Sequence, residues 1–346
     1  MRTLLGWISA GLWAACIFSL SISAHAQTEI TALGLTPQVG FTRDRYHQLA
    51  KVVAERFEGG ATVKLLIDGQ VGSEEVMAGA LRRGRGQIGM MTIPGVSAAV
   101  PEMSVLMAPY LFDSYAEEDF VLDHFLRPLM DDLFAARGLT FIGFADSGWF
   151  NVFGRTPLAG PDAILKRRMR AAGGEASRLF LQAAGADVIE LAFADLIPAL
   201  QTGLVDGSVT TNVMFEAGNL IRDVKYATLT RHAVNPGVLM ANKAWFDKLN
   251  KNNQELIRGA MEPMQEVRDG IRDEADQALK NSRAAGLIVH EPTAEERAAW
   301  KSKGLSTHSA LIARLGGESQ KIYDAILAGK KAYVETGAGR DATASR

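Results

Sequence analysis

Arg170 ends the basic run Lys166-Arg167-Arg168-Met169-Arg170. Four cations in five positions are too few for a nucleic-acid footprint, and three of them read as a solvated strand edge. Beyond the N-terminal segment the histidines are His47, His124, His232, His290 and His308, which lack the spacing of a metal site. The sequence offers no serine elbow, no cysteine beside a histidine and no carboxylate pair in a recognisable catalytic setting. The acidic groups Glu74-Glu75 and Glu117-Glu118-Asp119 stand at helix starts, where the helix dipole accounts for them; Glu74 is still kept as a candidate ligand-binding residue. Gly84-Arg85-Gly86-Gln87-Ile88-Gly89 matches the spaced glycines of a dinucleotide loop. That loop must follow a strand and open a helix, so that the pyrophosphate meets the helix N-terminus. Here a helix precedes and a strand follows, so the segment reads as the C-terminal turn of a helix. No catalytic residue is assigned, and the chemistry left to the chain is binding.

The elements that position such a site begin after a leader. Met1, Arg2 and Thr3 precede an apolar run from Leu4 to about Leu20, closed by Ala24-His25-Ala26. This is the pattern of a cleaved secretory signal over residues 1–26. Cys16, the one cysteine, falls inside it, so disulfide and thiol chemistry drop out of the mature chain. Trp13 stands where a lipidation signal would carry an aliphatic residue. With 37 Lys and Arg against 39 Asp and Glu, and no long run of either sign, nothing suggests a polyanionic partner. The length remaining suffices for two lobes with cores of their own.

Short apolar runs then alternate with amphipathic stretches, the pattern of βα units. Strands are predicted over 30–35, 63–67, 87–93 and 139–144. Tyr46, Leu49, Val53 and Phe57 share one face of a helix that Gly59-Gly60 ends. Helices are predicted over 73–83 and, longer, 117–136. A second set of strands covers 149–153, 169–172, 188–191, the neighbourhood of Val209, and 229–234, interleaved with helices over 175–184 and 194–201. A strand over 237–241 returns to the first lobe and a mostly helical remainder follows, in which Pro263 kinks or starts a segment. The expected organisation is residues 27–145 with 235–275 as lobe I, 146–234 with 276–336 as lobe II, and a flexible tail over 337–346.

Between Ile164 and Gly207 the sequence carries Arg168-Met169-Arg170-Ala171, Gly185-Ala186, Phe193-Ala194-Asp195 and Ala199-Leu200-Gln201-Thr202-Gly203-Leu204-Val205-Asp206-Gly207. This closely resembles the dicarboxylate-type (DctP) solute-binding proteins of tripartite ATP-independent periplasmic (TRAP) transporters. Gly69-Gln70-Val71-Gly72-Ser73, Ala108-Pro109-Tyr110-Leu111-Phe112 and the stretch from Asn242 to Leu249 extend the resemblance over nearly the whole mature chain. It implies an α/β, periplasmic binding protein type II-like bilobal fold, with several crossings between lobes and a long helix spanning them. It also implies a monomeric receptor in the periplasm that closes on a small organic acid and hands it to the membrane subunits of a TRAP transporter. No nucleic acid and no cofactor are implied. Whether a metal ion bridges ligand and protein, as in a few family members, is left open by the residue pattern.

The resemblance places the family's carboxylate-clamping arginine on Arg170, and a planar guanidinium with two parallel donors suits a carboxylate better than lysine does. It places a pocket phenylalanine on Phe193 and the residue after Asp-Gly on Thr210. Asn212, two positions later on an expected strand, would face the same side as Thr210, so both are retained. A second arginine of many acid-binding members is replaced by Trp149, and no glutamate stands near Pro94. Fewer cations and more apolar lining, with Met90, Met91, Met103 and Met107 as candidate contributors, favour a monocarboxylate with an aromatic or hydrophobic body. The other readings are a receptor for an ATP-driven importer, a receptor feeding a sensor, and a periplasmic enzyme.

Overall fold

The computed structural model describes residues 28–172 and 174–337. The leader over 1–26, and the expected tail beyond its first residue, lie outside the described residues. Eleven strands among those described build two sheets. The first contains β1 (Thr28–Leu33), β2 (Ala61–Leu66), β3 (Ile88–Thr92), β4 (Leu139–Ala145) and β10 (Gly237–Asn242), in the order β2-β1-β3-β10-β4. The second contains β5 (Trp149–Gly154), β6 (Arg168–Ala171), β7 (Asp187–Glu190), β8 (Gly207–Thr211), β9 (Tyr226–Val234) and β11 (Ile288–His290), in the order β11-β9-β5-β8-β6-β7. β1 runs parallel to β2 and β3, whereas β10 slots antiparallel between β3 and β4. In the second sheet β6 is parallel to β7 and β8, and β5 is antiparallel to β8 and β9.

The predicted helix face holds: Tyr46, Leu49 and Val53 are buried on helix Phe41–Arg56, packed with Ile30, Ile88 and Leu239 of the first sheet. The glycine repeat follows helix Glu74–Arg82 and runs into β3, the order that disqualifies it as a phosphate loop. The long helix expected over 117–136 is present in three pieces, an α-helix Tyr115–Val121, a π turn Leu122–Leu126 and an α-helix Arg127–Ala135. Pro263 caps helix Met264–Ala284, which begins among the residues of the first core (Met264, Val267, Ile271) and passes Val213 of the second lobe with Ala275 and Ala278.

The chain thus passes between the sheets three times: from β4 to β5, from β9 to β10, and along helix Met264–Ala284 to β11. The first crossing is fastened by a buried ionic cluster. Asp146 Oδ1 accepts from the N–H groups of Ser147 and Gly148, both at 2.6 Å, and its Oδ2 accepts from Arg272 Nε at 2.6 Å. Arg272 also donates to both oxygens of Asp119 at 2.6 and 2.7 Å, and its guanidinium lies 4.1 Å from the Tyr115 ring centre. Gly148 has φ +82°, and a Cβ there would sit 3.3 Å from Ala275 Cβ, so the turn into β5 needs glycine. Helices Ala294–Leu305, His308–Leu315 and Ser319–Thr336 close the fold. Trp300, Leu311 and Ile322 are buried in one core with Met103, Leu122, Phe134 and Phe180. Among the described residues no helix is long and apolar enough to cross a membrane.

Candidate ligand-binding site

A cavity of about 300 Å³ opens between the two sheets, beside the first two crossings. Of the six residues expected at the site, Arg170, Phe193, Thr210 and Glu74 line this cavity, and Trp149 and Asn212 do not. Alternation along β6 sends Met169 into the core and Arg170 the other way, into the cleft. Arg170 is only 4% exposed; its Nε donates to Leu191 O at 3.0 Å and its Nη1 to Val209 O at 3.5 Å. Of the five N–H groups of a guanidinium, those on Nη2 and one on Nη1 remain. Among the described residues no carboxylate forms an ion pair with it. Burial pulls its pKa down to about 10, opposed by the charge of Glu75, so the group stays cationic at neutral pH. A buried, unpaired guanidinium costs several kcal/mol in other settings, and a carboxylate would recover part of that cost.

Glu74, also on the cavity, is the first residue of helix Glu74–Arg82. Its carboxylate accepts from Thr92 N–H at 3.2 Å and from the Thr92 hydroxyl. Burial pushes the carboxyl up to about 7, although the Thr92 hydrogen bonds hold it down. The close approach depends on Gly95, where a Cβ would lie 2.4 Å from Glu74 Cβ. Tyr46 ties the floor together: its hydroxyl donates to Leu33 O at 2.8 Å and accepts from Met90 N–H at 3.1 Å. Burial raises the phenol well above its ordinary range.

Trp149 and Asn212 are displaced for local reasons. Successive strand residues point to opposite sides, and it is Phe150 that lines the cavity while Trp149 packs on Tyr115, ring centres 5.2 Å apart. The aromatic lining expected of Trp149 therefore comes from Phe150 and Phe193. The strand that was to carry Thr210 and Asn212 on one side ends at Thr211, whose hydroxyl caps helix Asn212–Ala217 by accepting from Met214 N–H. Asn212 is a helical residue, and its Oδ1 accepts from Asn151 Nδ2 at 3.3 Å. Met90 and Met91 line the cavity; Met103 and Met107 belong to the core.

Sequence reasoning passed over Thr36, Glu75, Asp146 and Asn235, all of which line the cavity. Asn235 and Thr36 are 3% and 8% exposed, and neither Asn235 Oδ1 nor Thr36 Oγ1 has a hydrogen-bond partner among the described residues. Neither has a neighbouring motif that would mark it. Asn235 is held at the second crossing by its own N–H, which donates to Gly148 O at 3.2 Å. Among the described residues no group of three or more His, Cys, Asp and Glu side chains is placed to hold a metal ion.

Residues 41–314 match the DctP family, bacterial extracellular solute-binding protein family 7. The C4-dicarboxylate-binding periplasmic protein of Rhodobacter capsulatus is 28% identical over 323 residues, covering 90% of this chain and 96% of that protein. The 2,3-diketo-L-gulonate-binding periplasmic protein of Escherichia coli is 27% identical over 286 residues, 79% of this chain and 85% of that protein. Among solved structures, the sugar acid binding protein of Advenella mimigardefordensis in complex with galactonate is similar at a TM-score of 0.80 with 26% identity, over 88% of this chain and 99% of that one. With its two α/β lobes, their crossings and the cleft between them, the chain belongs to the DctP family of bacterial extracellular solute-binding proteins.

Proposed function

We propose that this protein is the exported, periplasmic receptor of a TRAP transporter, which captures a monocarboxylate with an apolar body, performs no chemistry on it and delivers it to the membrane subunits. The observation that carries this reading is Arg170, a buried cation with unused donors and no carboxylate partner among the described residues. Among the described residues Arg170 is the sole basic side chain on the cavity, which suits one ligand carboxylate. Met90, Met91, Phe150, Phe193, Val213 and Ile271 supply the apolar surface for the rest of the ligand. The similar proteins named above bind organic acids, which supports a carboxylate ligand. The leader pattern of residues 1–26 supports export.

The lobes we propose, 27–145 with 235–275 and 146–234 with 276–336, hinge where β4 meets β5 and β9 meets β10. Closing them removes water from around the ion pair of Arg170 and the ligand, which strengthens it, and the ligand favours the closed form by its differential affinity for that form. The test is a thermal-shift panel on protein unfolded and refolded to strip carried-over ligand. Ligand at a hundred times its Kd adds about 2.7 kcal/mol of stability. Arg170→Ala abolishes that shift while its far-UV circular dichroism stays that of the wild type. Near-normal affinity in the variant refutes the assignment.

A further inference from the structure

We infer that the ligand is a zwitterion, its carboxylate facing Arg170 and a protonated amine facing an acceptor wall made by Glu74, Glu75 and Asn235. This rests on the carboxylate reading above and goes beyond it in what it requires of the ligand's second polar group.

Among the described residues the ionisable side chains on the cavity are Arg170, Glu74, Glu75, Asp146 and Tyr46, whose phenol burial keeps neutral. Asp146 is already paired, with Arg272 at 2.6 Å. Glu75 makes no ion pair or hydrogen bond among the described residues, and Glu74 spends its carboxylate on the N–H and hydroxyl of Thr92 alone. Glu75, and Glu74 in the fraction that is ionised at neutral pH, therefore stand in the cleft against one cation. A simple organic anion would satisfy Arg170 and leave Glu75 beside further negative charge in a site that closure dries, where like charges repel strongly. A ligand that brings one positive charge with its negative one leaves the balance of the cleft unchanged.

Hydrogen bonding leads to the same requirement. Ionised carboxylates and an amide oxygen only accept. Asn235 lines the cavity, and its Oδ1 is buried with no donor among the described residues, an arrangement that costs free energy until a donor arrives. An ammonium offers three donors and no acceptor, the complement of this wall. The apolar surface of Met90, Met91, Phe150 and Phe193 lines the same cavity, so an amino acid with a hydrophobic body meets both requirements.

The test uses the refolded full-length mature chain and sets of acids that share a skeleton: phenylalanine, 3-phenyllactate and 3-phenylpropanoate; leucine, 2-hydroxy-4-methylpentanoate and 4-methylpentanoate; 4-aminobutanoate, 4-hydroxybutanoate and butanoate. Affinities come from isothermal titration at pH 7 in buffers of different ionisation enthalpy. The expected result is that an aminated member binds on the order of tenfold or more tighter than its hydroxy and unsubstituted partners. Because the Glu74 carboxyl sits near neutrality, the arriving ammonium also drives a proton off, so binding releases protons. In the Glu74→Gln/Glu75→Gln variant the preference falls to within a few-fold and the proton release disappears. Equal or tighter binding of a hydroxy or unsubstituted acid, or proton uptake on binding, overturns the inference and leaves the carboxylate reading standing. Retention of the amine preference in the double variant overturns the assignment of the wall. If no carboxylate binds at all, it is the carboxylate reading that fails.

Discussion

Arg272→Met tests whether the first crossing is held by charge. In the native chain Arg272 bonds Asp146 and Asp119 at 2.6 to 2.7 Å and lies 3.5 Å from Glu118, whose side chain is almost wholly buried. Methionine replaces the stem but leaves these carboxylates without their main cation. Breaking a buried pair by removing one partner costs about 3 to 5 kcal/mol. With a urea slope of about 3 kcal/mol/M, the midpoint falls by about 1 to 1.7 M at pH 7.5. The pH dependence carries the sharper information. Burial already raises the carboxyls of Glu118 and Asp146, against the pull of Arg272. Acids whose folded pKa lies above the unfolded value favour the fold at low pH and lose that contribution as pH rises through the folded pKa. Without Arg272 both rise further, so the deficit is largest at pH 7.5 and shrinks toward pH 5 as the carboxyls take up protons. Urea titrations followed by circular dichroism at pH 5, 6 and 7.5 measure it. A deficit that is constant or grows toward pH 5 refutes the reasoning.

Two further outcomes follow from the packing. His232 stacks on Phe180 with ring centres 4.3 Å apart, its Nδ1 is 2.8 Å from Thr230 Oγ1, and burial pulls its pKa down to about 3. A histidine lowered in the fold contributes stability above its unfolded pKa of about 6.5 that is lost as pH falls toward the folded value, so His232→Gln flattens the acid limb of stability below pH 6.5 in denaturation series. Gly95→Ala places a methyl group 2.4 Å from Glu74 Cβ, which must shift; ligand affinity by calorimetry drops at least several-fold, and by more than for Ala98→Gly, a change of similar size nearby.

The elements themselves were legible because they follow from local patterns. Tyr46, Leu49 and Val53 recur at helical spacing and are buried together, and the order of helix, glycines and strand around Gly84 ruled out a phosphate loop before any geometry was known. The placement of Trp149 was harder, because one step along a strand reverses the face. Its neighbour Phe150 reaches the cavity. Asn212 depended on where β8 stops, which the cap formed by Thr211 decides.

What the sequence determined by itself is the alternation of strands and helices and the register that places Arg170 on β6. These rest on periodicity and on short motifs, which are properties of neighbouring residues. Only the tertiary structure decided that Arg170 has no carboxylate partner among the described residues, that Arg272 pairs with Asp146, and that Thr36, Glu75 and Asn235 share one cleft. Burial and pairing of a polar group depend on segments up to some two hundred positions apart, brought together by the crossings between the two sheets.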